Sequence, residues 1–271
     1  MSNIQRYPIK SLPAGEVSYP EDWSIEITPY LFGQSSGINE SDITSKRFYN
    51  CILDGVYTNF NKNLLTIEDT FFIGAARKLV TSKSNKVILT SKCPVCLNEN
   101  KITLNLQDAI NFEKSKISNR KKYPIKVSFP NGYIGWYKFL TLDESLSLMK
   151  TPESRVPGII TNLAKRTVKL VELVGENKAE KVIFDVTKDN HKLNFEALEN
   201  LYSTFVDEDA QLLEDILDLF ESSKLMPIEV QCQDKKCGHT YKQELELGAL
   251  TEYLSPFRGD SGRKIEDYID F

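Results

Sequence analysis

Four of the five cysteines fall into two short motifs. One is Cys93-Pro94-Val95-Cys96, and the other is Cys232-Gln233-Asp234-Lys235-Lys236-Cys237, followed by Gly238 and His239. Two thiolates spaced by two to four residues can fold back so that both sulfurs face one ion at about 2.3 Å, and two such pairs close a tetrahedral shell. The chemistry this spacing favours is one structural Zn2+ per chain, held by Cys93, Cys96, Cys232 and Cys237. Other readings stand beside it. A redox dithiol would want a βαβ pattern or a helix start behind its Cys-x-x-Cys to lower a thiolate pKa, and neither follows Cys96. Reduced cysteines with no common role are the plainest alternative. A disulfide framework fits poorly with 271 residues, five cysteines and no secretory leader. His239 could replace one sulfur, although a place two residues past Cys237 suits a turn equally well. Cys51 stands apart on the apolar side of an expected helix and reads as a packed core thiol.

The segments that must position these pairs repeat. Residues 86–90 lead into the first pair and 101–106 leave it, while 227–231 and 240–247 do the same for the second, each with strand-like alternation. Strand, knuckle, strand, twice over, is a zinc-ribbon layout. It is split here, because residues 97–231 lie between the pairs where ordinary ribbons leave about 15–20. The fold class expected is α+β: a split four-Cys zinc ribbon with an N-terminal strand and helices and a mixed α/β insertion between the two knuckles. The corresponding divisions are 1–106, an inserted hairpin and helical domain over 107–226, the second knuckle and closing strand over 227–254, and a tail over 255–271, flexible as far as its aromatic and acidic end at 268–271.

Within the first division, Leu12-Pro13-Ala14-Gly15 is a turn sequence and Trp23, Ile25 and Ile27 share one face of a strand over 23–28. Residues 32–40, rich in Gly and Ser, read as an exposed loop. Helices are expected over 43–57 and from Thr66, where Thr66 and Asp69 form a capping box ahead of a stripe of Phe71, Phe72, Ala75, Ala76 and Leu79. In the insertion, 123–129 and 133–139 pair as a hairpin about Asn131-Gly132. Helices follow over 143–150, 158–173, 194–205 and 208–220, with a strand at 181–186. His191 lies in a turn at 189–192 and reads as a surface residue.

Composition excludes several classes. A hydrophobic content of 41% can bury a substantial core, and no run approaches the roughly 18 apolar residues of a membrane span. The N-terminus lacks a signal-like apolar stretch, which points to a reducing cytoplasm. A net charge of −4 and a pI near 5.5 argue against a general nucleic-acid binder. The charge is unevenly placed. Lys114, Lys116, Arg120, Lys121, Lys122 and Lys126 make a basic stretch, and Asp207, Glu208, Asp209, Glu214, Asp215, Asp218 and Glu221 an acidic helix. Each is a solvated face or one half of a protein interface. No phosphate loop, GxSxG elbow, HExxH motif or dinucleotide turn is present, and two histidines are few for acid–base chemistry.

The order of parts resembles a known family. The Leu12-Pro13-Ala14-Gly15 turn, Tyr19-Pro20, a strand ending in Thr28-Pro29, the helix start Leu65-Thr66-Ile67-Glu68-Asp69, a strand and then Cys93-Pro94-Val95-Cys96 are similar to the baseplate hub protein family of T-even-like contractile-tailed bacteriophages. The likeness is best over residues 10–106 and returns at 232–247. An excess of lysine over arginine and frequent asparagine suit an AT-rich phage genome. The resemblance implies a non-enzymatic structural or assembly protein whose four cysteines hold a metal. Its partners would be other baseplate hub and tail proteins, with no membrane, nucleic acid or small-molecule substrate. Its place would be the virion tail or the host cytoplasm during assembly. A zinc-ribbon adaptor for protein or nucleic acid in a cellular complex, and a dithiol oxidoreductase or zinc enzyme, are the alternatives.

Overall fold

Short alternating segments and one long apolar stripe organise the N-terminal part. In the computed structural model, which describes residues 5–82, 85–149, 158–188, 191–221, 224–246 and 250–254, β1 (Tyr7–Ile9), β2 (Ile25–Ile27) and β3 (Val56–Thr58) form an antiparallel sheet in that order. Between β2 and β3 lie α1 (Phe32–Asn39) and α2 (Lys46–Leu53), and α3 (Ile67–Thr81) follows β3. Of the loop expected over 32–40, residues 32–39 are therefore a helix. The reason is tertiary. The Gln34 side chain takes the Leu31 amide at 3.0 Å and an Arg77 Nη at 2.8 Å, so a poor helix sequence is fixed from outside. The helix expected over 43–57 stops at Leu53, and the chain turns at Asp54-Gly55 so that Val56 and Tyr57 pair with β2.

The two cysteine-bearing hairpins flank the inserted segment. β4 (Lys86–Lys92) pairs with β5 (Glu99–Asn105) over all seven residues, and the one-turn helix α4 (Leu106–Ala109) follows. Next comes an antiparallel meander of β6 (Ile125–Ser128), β7 (Tyr133–Tyr137), β8 (Thr167–Val174) and β9 (Ala179–Asp185). Helices α5 (Leu142–Met149) and α6 (Gly158–Arg166) separate β7 from β8, and α7 (His191–Tyr202) and α8 (Asp207–Phe220) follow β9. The single helix expected over 158–173 is thus a helix and a strand. Thr167-Val168-Lys169-Leu170-Val171 satisfies both periods, and pairing with β7 and β9 decides for the strand. The turn expected at 189–192 lies partly outside the described residues, and α7 already begins at His191. β10 (Ile228–Gln231) and β11 (Thr240–Gln243) make the closing hairpin. The tail over 255–271 and the last residue of the strand expected over 240–247 lie outside the described residues.

The result is mixed α and β, with several antiparallel sheets and two hydrophobic clusters. Ile25, Ile27, Phe48, Ile52, Phe71 and Val87 centre the first; Phe129, Tyr137, Leu170, Phe184, Leu198 and Ile216 centre the second. They interlock. Ala14 and Val17 from the N-terminal segment sit in the second cluster, and Leu142 and Leu146 of α5 in the first. The chain enters and leaves the 107–226 segment side by side, with the Glu113 amide on the Lys224 carbonyl at 2.8 Å and the Met226 amide on that of Asn111 at 2.7 Å. Among the described residues no helix is long and apolar enough to cross a membrane.

Two buried polar nodes tie the N-terminal part together. Asp69 is fully buried; its Oδ1 accepts the Ala14 amide at 2.8 Å, and its Oδ2 accepts the Gly15 amide at 2.7 Å and the Tyr19 hydroxyl at 2.5 Å. Thr66 Oγ1 caps α3 by accepting the Asp69 amide, as expected. The Asp69 carboxylate, however, does not close a capping box; Tyr19 Oη takes the Thr66 amide instead. Gly15 is needed here, since a Cβ would stand 2.5 Å from Tyr19 Oη and 2.9 Å from Asp69 Oδ2. Burial pushes the Asp69 carboxyl above its ordinary range, and the hydrogen bonds from Tyr19, Ala14 and Gly15 oppose the rise. The second node is Arg77, also fully buried. Its guanidinium donates to the carbonyls of Thr28, Pro29, Cys51 and Ile52 and to Gln34 Oε1, and it lies over the Tyr30 ring at 4.0 Å.

Candidate metal centre

Each cysteine pair sits in the turn of its hairpin, and the two turns are built alike. In the first, the Cys93 amide donates to the Asn98 carbonyl at 3.0 Å, and the Leu97 amide to the Cys93 carbonyl at 2.9 Å. In the second, the Cys232 amide donates to the His239 carbonyl at 2.8 Å, and the amides of Cys237 and Gly238 converge on the Asp234 carbonyl at 3.0 Å. The residue after the second cysteine is left-handed in both, Leu97 at φ +60° and Gly238 at φ +57°. This reversal aims both sulfurs of a pair to one side.

The structure brings all four predicted cysteines together. Their sulfurs lie within 4.8 Å of one another, with Cys93 Sγ 3.8 Å from Cys237 Sγ and Cys96 Sγ 3.5 Å from Cys232 Sγ. Four sulfurs each about 2.3 Å from one ion at tetrahedral angles would be about 3.8 Å apart. A disulfide needs about 2.05 Å, so neither contact is a bond. The arrangement is compatible with a metal site whose ligands come from either side of the inserted segment.

Backbone amides prepare one of the sulfurs, that of Cys93, for charge. The Cys96 amide, with that of Val95, donates to the Cys93 sulfur and, against partial desolvation, holds its thiol down at about 7. Desolvation pushes the Cys232 thiol up to about 12, only partly opposed by the Asp234 amide, and the neighbouring thiols of Cys96, Cys93 and Cys237 add to the rise. Crowding disfavours charge on all four sulfurs together, and a divalent cation bound among them would offset that repulsion.

A polar network joins the two hairpins behind the cysteines. Asn100 is fully buried; its Nδ2 donates to the Asn98 carbonyl at 3.2 Å and to Tyr241 Oη at 3.0 Å, and its Oδ1 accepts the Gln233 amide at 2.7 Å. The Gln233 side chain pairs in turn with the Lys101 backbone, donating to its carbonyl at 2.9 Å and accepting its amide at 3.4 Å. Ser91 Oγ meets Tyr241 Oη at 3.0 Å and also bonds the Gln243 side chain. These side-chain amides stand in for a strand ladder between β5 and the second turn. Sequence reasoning missed them, because Asn100 and Gln233 look like ordinary surface residues of a strand and a turn.

Two other candidates fall outside the cluster. His239 contributes its carbonyl to the second turn, while its exposed ring stacks on Tyr241 with centroids 6.3 Å apart. Cys51 is half-buried on α2 beside Gly37, and burial pushes its thiol up. Of the charged segments, α8 exposes Glu214, Asp215 and Asp218 and buries Leu213, Ile216, Leu217 and Phe220. The basic stretch is partly structural. Arg120 is tied to the carbonyls of Glu16 and Tyr19, and Lys126 lies over the Trp136 ring at 5.3 Å. No family model, curated protein or solved structure matches the chain.

Proposed function

We propose that the chain is a non-enzymatic structural or assembly protein built around a split zinc ribbon, and that it serves in the tail baseplate hub of a contractile-tailed bacteriophage. One observation carries the structural half of this reading. Four cysteine sulfurs from two like turns lie within 4.8 Å of one another, close enough for protein ligands alone to fill a four-coordinate shell. Zinc suits such an all-thiolate shell, and a catalytic zinc would keep a position for water or substrate. The ion would supply cohesion: it would clamp the β4–β5 hairpin to the β10–β11 hairpin, which among the described residues share a side-chain network and no strand ladder.

The hub half rests on the order of sequence motifs from Leu12 to Cys96 and around Cys232 to Cys237. Of these motif residues, Ala14, Gly15, Tyr19, Thr66 and Asp69 meet in one buried cluster, which supports a role in setting the fold over a role in a reaction. Function then lies in contacts with other hub and tail proteins, for which the exposed acids of α8 and the lysines between Lys114 and Lys126 are the charged surfaces. The decisive experiment disrupts the gene in a phage that carries it and examines the particles by electron microscopy. Particles with hubless or absent baseplates, restored by the protein supplied in trans, support the reading; normal tails, or substrate turnover by the purified zinc protein, exclude it.

A further inference from the structure

One buried cation is left with most of its donors unspent. Arg166, the last residue of α6, is 7% exposed, and three contacts fix its place: Nε donates to Asn162 Oδ1 at 2.9 Å, the guanidinium lies over the Phe220 ring at 5.1 Å, and the backbone carbonyl accepts the Lys138 amide at 2.8 Å. A guanidinium carries five N–H donors. Among the described residues the four on Nη1 and Nη2 have no hydrogen-bond partner, and no carboxylate pairs with them directly. Burial lowers the Arg166 pKa, and Glu68 and Glu221 are the largest charges opposing the fall. Both act from the walls of a cavity that Arg166 also lines.

That cavity, of about 510 Å³, lies where separate parts of the chain meet. Glu68 comes from the first turn of α3 and Glu221 from the residue after α8, while Phe112 and Leu225, bridged at the neck of the inserted segment, form an apolar wall with Leu245. Its volume falls in the range of small-molecule sites, roughly 300–1,000 Å³. The charge layout limits what can enter. A phosphate would suit Arg166 and the exposed Lys224, but it would face Glu68, Glu221 and the exposed carboxylates of Glu113 and Glu244. An organic cation would suit the four glutamates, but it would meet the buried guanidinium. A molecule carrying one carboxylate and one ammonium satisfies both signs, because paired guanidinium N–H groups match a carboxylate and the glutamates accept from the ammonium.

We propose that this cavity binds a free α-amino acid with an apolar side chain, its carboxylate on the Arg166 Nη groups, its ammonium on Glu68 and Glu221, and its side chain against Phe112, Leu225 and Leu245. The two charges of such a ligand sit on one carbon, which suits a site where cation and carboxylates face one cavity without pairing. The site does not rest on the baseplate reading, and failure to bind would leave that reading standing.

The test is isothermal titration calorimetry of the zinc-loaded full chain with free leucine, isoleucine, valine, methionine and phenylalanine. At least one should bind once per chain with a Kd below about 1 mM. Its amide, which lacks the carboxylate, and its N-acetyl form, which lacks the ammonium, should each bind at least about tenfold more weakly. So should glycine, which captures zinc through the same two groups but has nothing to set against the apolar wall. Glu68→Gln combined with Glu221→Gln should weaken binding at least about tenfold, and Arg166→Gln should abolish it. If Arg166→Gln fails to fold, the paired glutamate variant and the blocked ligands carry the test. No binding by any of the five below about 1 mM, equal binding by the amide, the N-acetyl form or glycine, tighter binding of inorganic phosphate, or unchanged affinity in the glutamate variant would each overturn the proposal.

Discussion

Replacing Asp69 by Asn tests whether the buried carboxylate organises the N-terminal part. The substitution keeps shape and volume, so packing is not at issue. What changes is that one oxygen becomes an NH2 donor, and both native oxygens face donors: Oδ1 the Ala14 amide, Oδ2 the Gly15 amide and the Tyr19 hydroxyl. The least costly orientation turns the NH2 toward Ala14, losing one bond and leaving that amide buried and unpaired, at about 1–3 kcal/mol. The two surviving bonds lose their charge assistance, worth about 1 kcal/mol each. A neutral amide is spared the desolvation that raises the Asp69 carboxyl, which offsets part of this. The net expectation is destabilisation by about 3 kcal/mol, or about 6–12 °C in melting temperature for a chain of this length. Thr66→Ala, which removes only the cap, should cost about 1 kcal/mol and serves as the internal scale. Urea unfolding of both variants at neutral pH with zinc saturating gives the comparison. An Asp69→Asn protein within about 1 kcal/mol of wild type, or less damaged than Thr66→Ala, would refute the assignment of Asp69 as the node.

Cys232→Ser should reduce zinc from one ion per chain to well below one and strip exchange protection from β10 and β11, since structural zinc binding feeds into folding; a variant as heat-stable as wild type would remove zinc from the fold. Lys78 is 2% exposed and desolvation lowers its pKa from 10.5 to about 8, so between these values the unfolded chain holds a proton that the folded chain lacks. Stability should therefore rise by about 1–3 kcal/mol from pH 8 to 10.5, and Lys78→Met should flatten that rise in pH-dependent urea titrations. Reversing exposed Asp215 and Asp218 of α8 to Lys should change stability by no more than about 0.5 kcal/mol per site yet impair tail assembly in a complementation assay. Normal assembly would clear α8 of an interface role.

What was legible in the sequence was local. Cysteine spacing and period-two alternation located both hairpins, because a turn that aims two sulfurs at one point and the strands that feed it are encoded within a few residues. The Thr66 cap was legible for the same reason, but the destination of the Asp69 carboxylate was not, since Ala14 and Gly15 are remote in the chain. The same holds for α1, where Arg77 makes a helix of a glycine- and serine-rich run by holding Gln34. It holds again for β8, whose residues fit two periods until β7 and β9 choose between them. Within the site, the cysteines were visible and the Asn100–Gln233 bracing was not, for amide side chains replacing a strand ladder leave no periodic trace.

This division bears on where function should be sought. The motif residues that carry the family resemblance are among the best buried in the chain: Tyr19, Thr66 and Asp69 are each no more than 2% exposed, and Thr28 and Pro29 lend their carbonyls to buried Arg77. Residues so placed constrain architecture and can touch a partner only through the surfaces they support. A partner surface must therefore be read from the exposed residues that these buried ones support, not from the motif residues themselves. Loss of a metal bound by the four cysteines would act on that same architecture, leaving the β4–β5 and β10–β11 hairpins joined by side-chain hydrogen bonds such as Asn100–Gln233.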